Sequence, residues 1–128
     1  MNAQPITVDE AKRHLDEGEA ITFVDARNEG AWRKSEWQLP DSRRVPAHDV
    51  EAHLDEVPPG GGLIVPYGDA DDVSAVLEVL ARHGWTNVRP LLGGPDAWRR
   101  AGYPTEGKLT RTLSPAEVSD NVQKAEGD

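Results

Sequence analysis

The chain has 128 residues, of which 14 are Lys or Arg and 23 are Asp or Glu, so its formal net charge at pH 7 is −9. It contains no cysteine, which excludes disulfides, a thiolate nucleophile and cysteine-ligated metal centres. The acidic balance argues against nonspecific binding to nucleic acid or anionic membranes. No apolar leader or long aliphatic run is evident, so we expect a cytoplasmic protein built around one domain.

The first predicted elements are a helix, a strand and a second helix. Thr7 and Glu10 have the spacing of a capping box, in which two side chains satisfy free backbone N–H groups at a helix start. Apolar residues recur at helical spacing as far as Gly18, which suits the left-handed turn that ends a helix. Residues 21–24 form a β-branched and aromatic run typical of a buried strand, and residues 28–34 predict a short helix.

The rest of the chain alternates between predicted helix and strand. Residues 35–46 are predicted to be irregular apart from a very short strand at 44–45; then come helical turns at 48–54, a strand at 63–67, a helix at 73–80, a strand at 87–92 and a helix at 96–101. This alternation predicts an α/β fold with a parallel central sheet and helices on both faces. We expect the domain to span residues 1–106. A polar C-terminal extension, residues 107–128, follows it, and a capping-box sequence at 114–117 predicts a short helix there.

Several short motifs, taken in order over residues 6–106, resemble those of the rhodanese (thiosulfate sulfurtransferase) homology domain. That family has a strand, a Gly-Gly pair and a helix that opens with an Asp-Ala-Trp-like run, followed by Ala-Gly-x-Pro. Here the corresponding segments are LLGGPDAW at 91–98 and RRAGYP at 99–104, with weaker matches in DAR at 25–27, QLPDS at 38–42, Tyr67, and SA at 74–75. The resemblance implies a rhodanese-like domain with a parallel central sheet.

The resemblance also locates the family's active loop, and this chain has different residues at the positions that carry the family's chemistry. In the family a Cys follows the Tyr and carries sulfur as a persulfide, and that position is Gly68 here. The family's Arg corresponds to Val73, a family Gly to Asp71, and the His of the Pro-Gly element to Gln38. The resemblance therefore implies an active-loop equivalent and two supporting residues at the end of a strand: Gly68, Asp69, Ala70, Asp71, Asp72, Val73 and Ser74, with Asp25 and Arg27 in support.

The charge of this region opposes the anionic substrates of the family. Between residues 45 and 81 there is no Lys or Arg, whereas the same stretch contains eight Asp or Glu residues. A thiosulfate or phosphate site needs positive potential, which this stretch does not supply. Asp71 or Asp72 is suited to cap the helix that follows, so we expect a carboxylate of the protein to fill part of the anion site.

Three hypotheses for function follow from these residues. The first is a catalytically inactive rhodanese-like domain, a pseudoenzyme that acts as a binding or regulatory module, because persulfide transfer needs a thiolate. Its protein partner or small ligand is not identified by the sequence, and no cofactor or resident metal is expected. The second is a metal-assisted enzyme with Asp69, Asp71 and Asp72 as oxygen ligands, although helix capping is the favoured role for these residues. The third is an altered sulfurtransferase in which Cys has become Gly68, and the other departures in the loop argue against it.

Overall fold

Helices and strands alternate along residues 4–108, the part of the chain that the computed structural model describes. The elements in chain order are α1 (Val8–Asp16), β1 (Ile21–Asp25), α2 (Glu29–Lys34), β2 (Trp37–Gln38), β3 (Arg43–Arg44), a 3-10 helical segment (Ala47–Glu56), β4 (Leu63–Tyr67), α3 (Ala70–Arg82), α4 (Gly94–Arg100) and β5 (Glu106–Gly107). Each predicted helix of this region is present, and most begin or end within two residues of the predicted bounds.

Three parallel strands form the centre of the sheet, in the order β3–β1–β4. β1 pairs with β4 along its whole length, from Ile21 opposite Leu63 to Asp25 opposite Tyr67. β3 adds a short pairing on the other side of β1. The predicted strands at 21–24 and 63–67 are confirmed, and so is the α/β fold with a parallel central sheet.

The regular strand predicted at 87–92 is wrong in detail, because this segment joins the sheet only through isolated bridges. Val88 pairs with Ile64, and Leu91 pairs with Ile6. Pro66 gives the physical reason, since proline has no N–H to donate to the neighbouring segment. Its carbonyl still accepts a hydrogen bond from the Leu91 N–H at 3.0 Å. The neighbouring segment is therefore held to β4 without a continuous ladder.

Two hydrophobic cores lie on opposite faces of the sheet, because side chains alternate along a strand. On β1, Phe23 belongs to one core and Val24 to the other. The first core packs α3 and the 3-10 segment, through Val50, Val73, Val76 and Leu80. The second packs α1 and α4, through Ala11, Tyr67 and Trp98. The helices therefore cover both faces, and all five residues of β4 are buried.

The starts of α1 and α2 follow directly from local sequence. At α1 the Glu10 N–H donates to Thr7 Oγ1 at 3.0 Å and the Thr7 N–H donates to Glu10 Oε1 at 3.2 Å, which confirms the predicted capping box. At α2 the Asn28 side chain accepts a hydrogen bond from the Ala31 N–H at 2.9 Å. Both caps satisfy N–H groups that a helix start otherwise leaves without a partner.

An antiparallel pair, β2 with β5, lies in regions that were predicted to be irregular or to begin the extension. Trp37 lies opposite Gly107, and Gln38 lies opposite Glu106. Two-residue strands leave no period in the sequence, so only tertiary pairing reveals them. The short helix predicted at 114–117 lies outside the described residues. Within residues 4–108, no helix has both the length and the apolar character needed to cross a bilayer.

Candidate functional site

A cleft opens where β1 and β4 end, at the edge of the sheet to which parallel strands direct their carboxyl ends. The two ends are joined by a hydrogen bond from the Ala26 N–H to the Tyr67 carbonyl at 2.9 Å. The cleft has a volume of about 660 Å³, and its walls come from Pro5 and from residues within 27–37, 68–77 and 90–96. This is the position at which open α/β sheets bind their ligands.

The predicted loop residues do not all reach the cleft. Five of them line it: Gly68, Asp69, Ala70, Val73 and Ser74. The remaining two, Asp71 and Asp72, lie in the first turn of α3 and are not part of its wall. The supporting residue Arg27 lines the cleft, and Asp25 lies behind it as its hydrogen-bond partner.

Asp25 and Arg27 form a buried, two-point ion pair. Arg27 Nε donates to Asp25 Oδ1 at 2.9 Å and Arg27 Nη2 donates to Asp25 Oδ2 at 2.6 Å. Burial acts to lower the pKa of Arg27, but the hydrogen bonds and charge of Asp25 outweigh it and raise that pKa above the usual arginine value. The guanidinium is therefore charged and held by two hydrogen bonds to a carboxylate, which it shares with Arg44, whose Nη1 lies 3.9 Å from Asp25 Oδ1.

The hydroxyl of Tyr67 ties the end of β4 to the segment before β3. It accepts a hydrogen bond from the Leu39 N–H at 3.3 Å and shares a second one with Ser42 Oγ at 2.8 Å. Burial raises the pKa of Tyr67 well above its usual value, and the charge of Asp25 adds to the effect. The phenol is therefore neutral and structural, and it holds the floor beneath the cleft.

Gly68 has a backbone conformation that L-residues with a side chain rarely adopt, since its φ is +147°. A Cβ at this position would lie 3.2 Å from the Ala26 carbonyl carbon, 3.2 Å from the Arg27 nitrogen and 3.3 Å from the Arg27 Cα. These are main-chain atoms at the end of β1, and they cannot rotate away as a side chain can. The position that the resemblance assigns to the family's cysteine therefore has neither a side chain nor comfortable room for one.

The prediction that Asp71 or Asp72 caps α3 is wrong. The N-cap is Asp69, its side chain makes no capping hydrogen bond, and Asp71 and Asp72 lie within the first turn of the helix. Asp69 Oδ2 instead accepts a hydrogen bond of 3.4 Å from Asn28 Nδ2. No capping hydrogen bond from the Asp69 side chain satisfies the N–H groups at the start of α3, so the proposed filling of the anion site by a carboxylate is not observed. The three carboxylates still place negative charge around the helix start.

Val73 and Gln38, which the resemblance assigns to the family's Arg and His positions, have packing roles in the structure. Val73 is only 8% exposed and belongs to the core under α3. Gln38 donates from Nε2 to Glu106 Oε2 at 2.6 Å and so supports the pairing of β2 with β5. Neither residue brings positive charge to the cleft.

Residues outside the predicted loop complete the cleft, and sequence reasoning assigned them no role there. Asn28 is visible in sequence only as a helix cap. Trp37 lines the cleft, with its ring 5.5 Å from the Arg27 guanidinium and 4.8 Å from that of Arg99. Leu92 is 56% exposed and closes the segment predicted as a strand at 87–92. No sequence signal marks it, because its exposure depends on the bridge geometry beside β4.

The acidic residues of the loop do not converge on a common point. Within residues 4–108, no three acidic or histidine side chains form a group that could hold a metal ion. The geometry therefore gives no support to a metal-assisted reaction at Asp69, Asp71 and Asp72.

The fold and the cleft define a class of protein: a parallel α/β domain with a strand-to-helix loop over the carboxyl edge of its sheet. Among solved structures, the Alr3790 protein from Anabaena sp. matches with 24% identity and a TM-score of 0.70, over 84% of this chain and all of the other. The NMR structure of the rhodanese-like domain of Alr3790 matches with 26% identity and a TM-score of 0.69, over 90% of this chain and 86% of the other.

A third solved structure agrees with these two. The BH2092 protein from Bacillus halodurans matches with 21% identity and a TM-score of 0.70, over 84% of this chain and 79% of the other. A comparison with curated proteins gave no match. The family model of the rhodanese-like domain matches residues 7–101. The chain therefore belongs to the rhodanese-like domain family.

Proposed function

We propose that this chain is a rhodanese-like domain without sulfurtransferase activity, and that it works as a binding or regulatory module through the cleft at Gly68. The observation that carries the proposal is the combination of a missing nucleophile with a backbone that disfavours its return. The chain has no cysteine, and Gly68 has φ +147° with main-chain atoms 3.2 Å from the position of a Cβ. Sulfur transfer through a persulfide requires a thiolate at that point.

The electrostatics of the cleft support the same proposal. Its one lining arginine, Arg27, is already paired with Asp25, and the remaining lining charges are the carboxylates of Asp69 and Asp96. Carboxylates outnumber cationic side chains among the lining residues, which disfavours an anionic sulfur donor. The cleft is nevertheless retained, with an apolar wall that includes Val73, within the size range typical of ligand sites. A retained cleft without its reaction favours binding over catalysis.

The first experiment measures thiocyanate formed from thiosulfate and cyanide by the purified chain. We expect no turnover above a blank without protein, with an active rhodanese-like domain as the positive control. Turnover by the cysteine-free chain would contradict the proposal.

A second experiment tests binding, with the chain and its Leu92→Ser variant as paired baits in a native cell extract. Leu92 is exposed at the edge of the cleft, so the variant should fold normally. We expect at least one protein to be retained by the original chain and lost from the variant. If both baits retain the same proteins in equal amounts, the cleft is not the binding surface.

A further inference from the structure

The cleft combines an apolar wall with an exposed leucine at its edge. Leu92 is 56% exposed and is the large hydrophobic residue left open to solvent within residues 4–108. It follows Leu91 in the chain, and Leu91, Val73 and Leu77 also line the cleft. A segment of a protein partner would cover both the cleft and this exposed leucine.

The charge of the cleft selects among such segments. Asp69 and Asp96 lie on two different walls, one at the start of α3 and the other in the first turn of α4. Neither forms an ion pair with any residue of the described part of the chain, and Arg27 already has both oxygens of Asp25 as partners. Two carboxylates that form no ion pair within residues 4–108, beside an apolar surface, attract a cation and repel an acidic segment.

Resting on the proposed function, we propose that the cleft binds a segment of a partner protein in which Lys or Arg stands beside an apolar side chain. The apolar side chain occupies the wall formed by Leu77, Leu91 and Leu92. The cationic side chain lies between Asp69 and Asp96. This assignment fixes the chemistry of the partner.

The probe is a random twelve-residue peptide library displayed on phage, selected against the full chain and counter-selected against its Leu92→Ser variant. We expect the enriched peptides to carry Lys or Arg next to Leu, Ile, Met or Val. An enrichment of acidic peptides, or no enrichment over the counter-selection, would overturn the inference.

The affinity of a selected peptide is then measured by fluorescence anisotropy against matched variants. Asp69→Asn with Asp96→Asn should weaken binding about three- to tenfold, because two exposed ion pairs are lost. Leu92→Ser should weaken it on the order of fivefold to tenfold through lost apolar contact. The control, Asp55→Asn with Glu78→Gln, makes the same change in net charge at exposed positions outside the cleft and should leave affinity unchanged.

The remaining outcomes separate this inference from the proposed function. Equal affinities in the cleft and control variants would overturn the inference. A dimer of this chain that dissociates in the Leu92→Ser variant would also overturn it, because the occupant of the cleft would then be a second copy. Tighter peptide binding by the Leu113→Asp variant of the full chain would overturn it as well, because the occupant would then be the chain's own C-terminal residues. Cleft-dependent binding of acidic or uncharged peptides would leave the proposed function standing. Sulfur transfer by the cysteine-free chain would remove the proposed function itself.

Discussion

Restoring the family's cysteine with Gly68→Cys should destabilise the protein and leave it inactive. The substitution places a Cβ where φ is +147° and where the nearest main-chain atoms, of Ala26 and Arg27, are 3.2 Å away. Those atoms are fixed on both sides. Ala26 donates its N–H to the Tyr67 carbonyl at 2.9 Å, and the Arg27 side chain is anchored on Asp25. The loop therefore cannot relax without disturbing the end of the sheet.

The expected loss of stability has two parts. An L-residue held at a sparsely populated positive φ costs about 1–3 kcal/mol. Moving packed main-chain atoms to admit a Cβ costs about 1 kcal/mol more, at the low end of overpacking effects. The sum is about 2–4 kcal/mol, which corresponds to a fall in Tm of roughly 8–20 °C for a domain of this size.

Urea unfolding followed by tryptophan fluorescence measures this loss of stability. Two alanine variants separate its backbone part from its steric part. Gly68→Ala adds the same Cβ without the thiol and should match Gly68→Cys within about 0.5 kcal/mol. Gly84→Ala places a Cβ at φ +101° with no atom within 4 Å, so it reports the backbone cost alone. We expect Gly84→Ala to cost about 1–2 kcal/mol and Gly68→Ala to cost clearly more.

The chemistry of the new thiol provides the second measurement. Asp69 is adjacent to it, and the position that carries arginine in the family holds Val73. We expect the thiol pKa, read from the pH dependence of alkylation, to lie above the ordinary value of about 8.5. Thiosulfate-to-cyanide turnover should stay at the blank level. If Gly68→Cys were as stable as the original chain and transferred sulfur, both the steric and the electrostatic arguments would be refuted.

Three further predictions concern the interactions that hold the cleft and the first helix. Asp25→Ala should cost about 3–5 kcal/mol in urea unfolding, because it leaves the buried Arg27 guanidinium without its partner. Thr7→Ala should cost about 1 kcal/mol, since it removes one side of the capping box with Glu10. Stability should fall as the pH rises above about 10, because the raised pKa of Tyr67 keeps the folded phenol protonated while the unfolded phenol ionises.

Each of these predictions has a control and a contradicting result. For Asp25→Ala the control is Asp16→Asn, which breaks the exposed Lys12–Asp16 pair and should cost less than 1 kcal/mol; equal losses would disprove the importance of burial. For Thr7→Ala, Thr7→Ser should retain most of the stability, and a loss as large as with alanine would rule out capping. At alkaline pH, Tyr67→Phe should reduce the fall of the unfolding free energy with pH. An unchanged dependence on pH would assign the fall to other titrating groups.

Most of the fold could be predicted because its signals are local. The capping box at Thr7 and Glu10 involves only residues that are close in the chain. The apolar runs of β1 and β4 each identify a buried strand without reference to any other segment. Alternation of such elements leaves few parallel arrangements open. The isolated bridges at Val88 and Leu91 were missed because the missing N–H that breaks their ladder belongs to Pro66, on another strand.

The cleft could be predicted only in part, since its walls come from distant segments. The positions of Gly68, Asp69, Val73 and Ser74 follow from the order of motifs, and all four line the cleft. The sequence favours Asp71 or Asp72 as the cap of α3 because aspartate suits any helix start. The cap is instead Asp69, because β4 ends at Tyr67 and the helix begins soon after it, at Ala70.

The amino-acid sequence by itself determined the chemistry that this protein lacks. A chain without cysteine cannot form a persulfide, whatever its fold, and no structure is needed to reach that conclusion. Only the tertiary structure decided that Gly68 has little room for a side chain. Its φ, and the approach of Ala26 and Arg27 to within 3.2 Å of its Cβ position, arise where the ends of two strands meet. Those strands lie some forty residues apart in the chain, so no local pattern could reveal that the place for a side chain had closed.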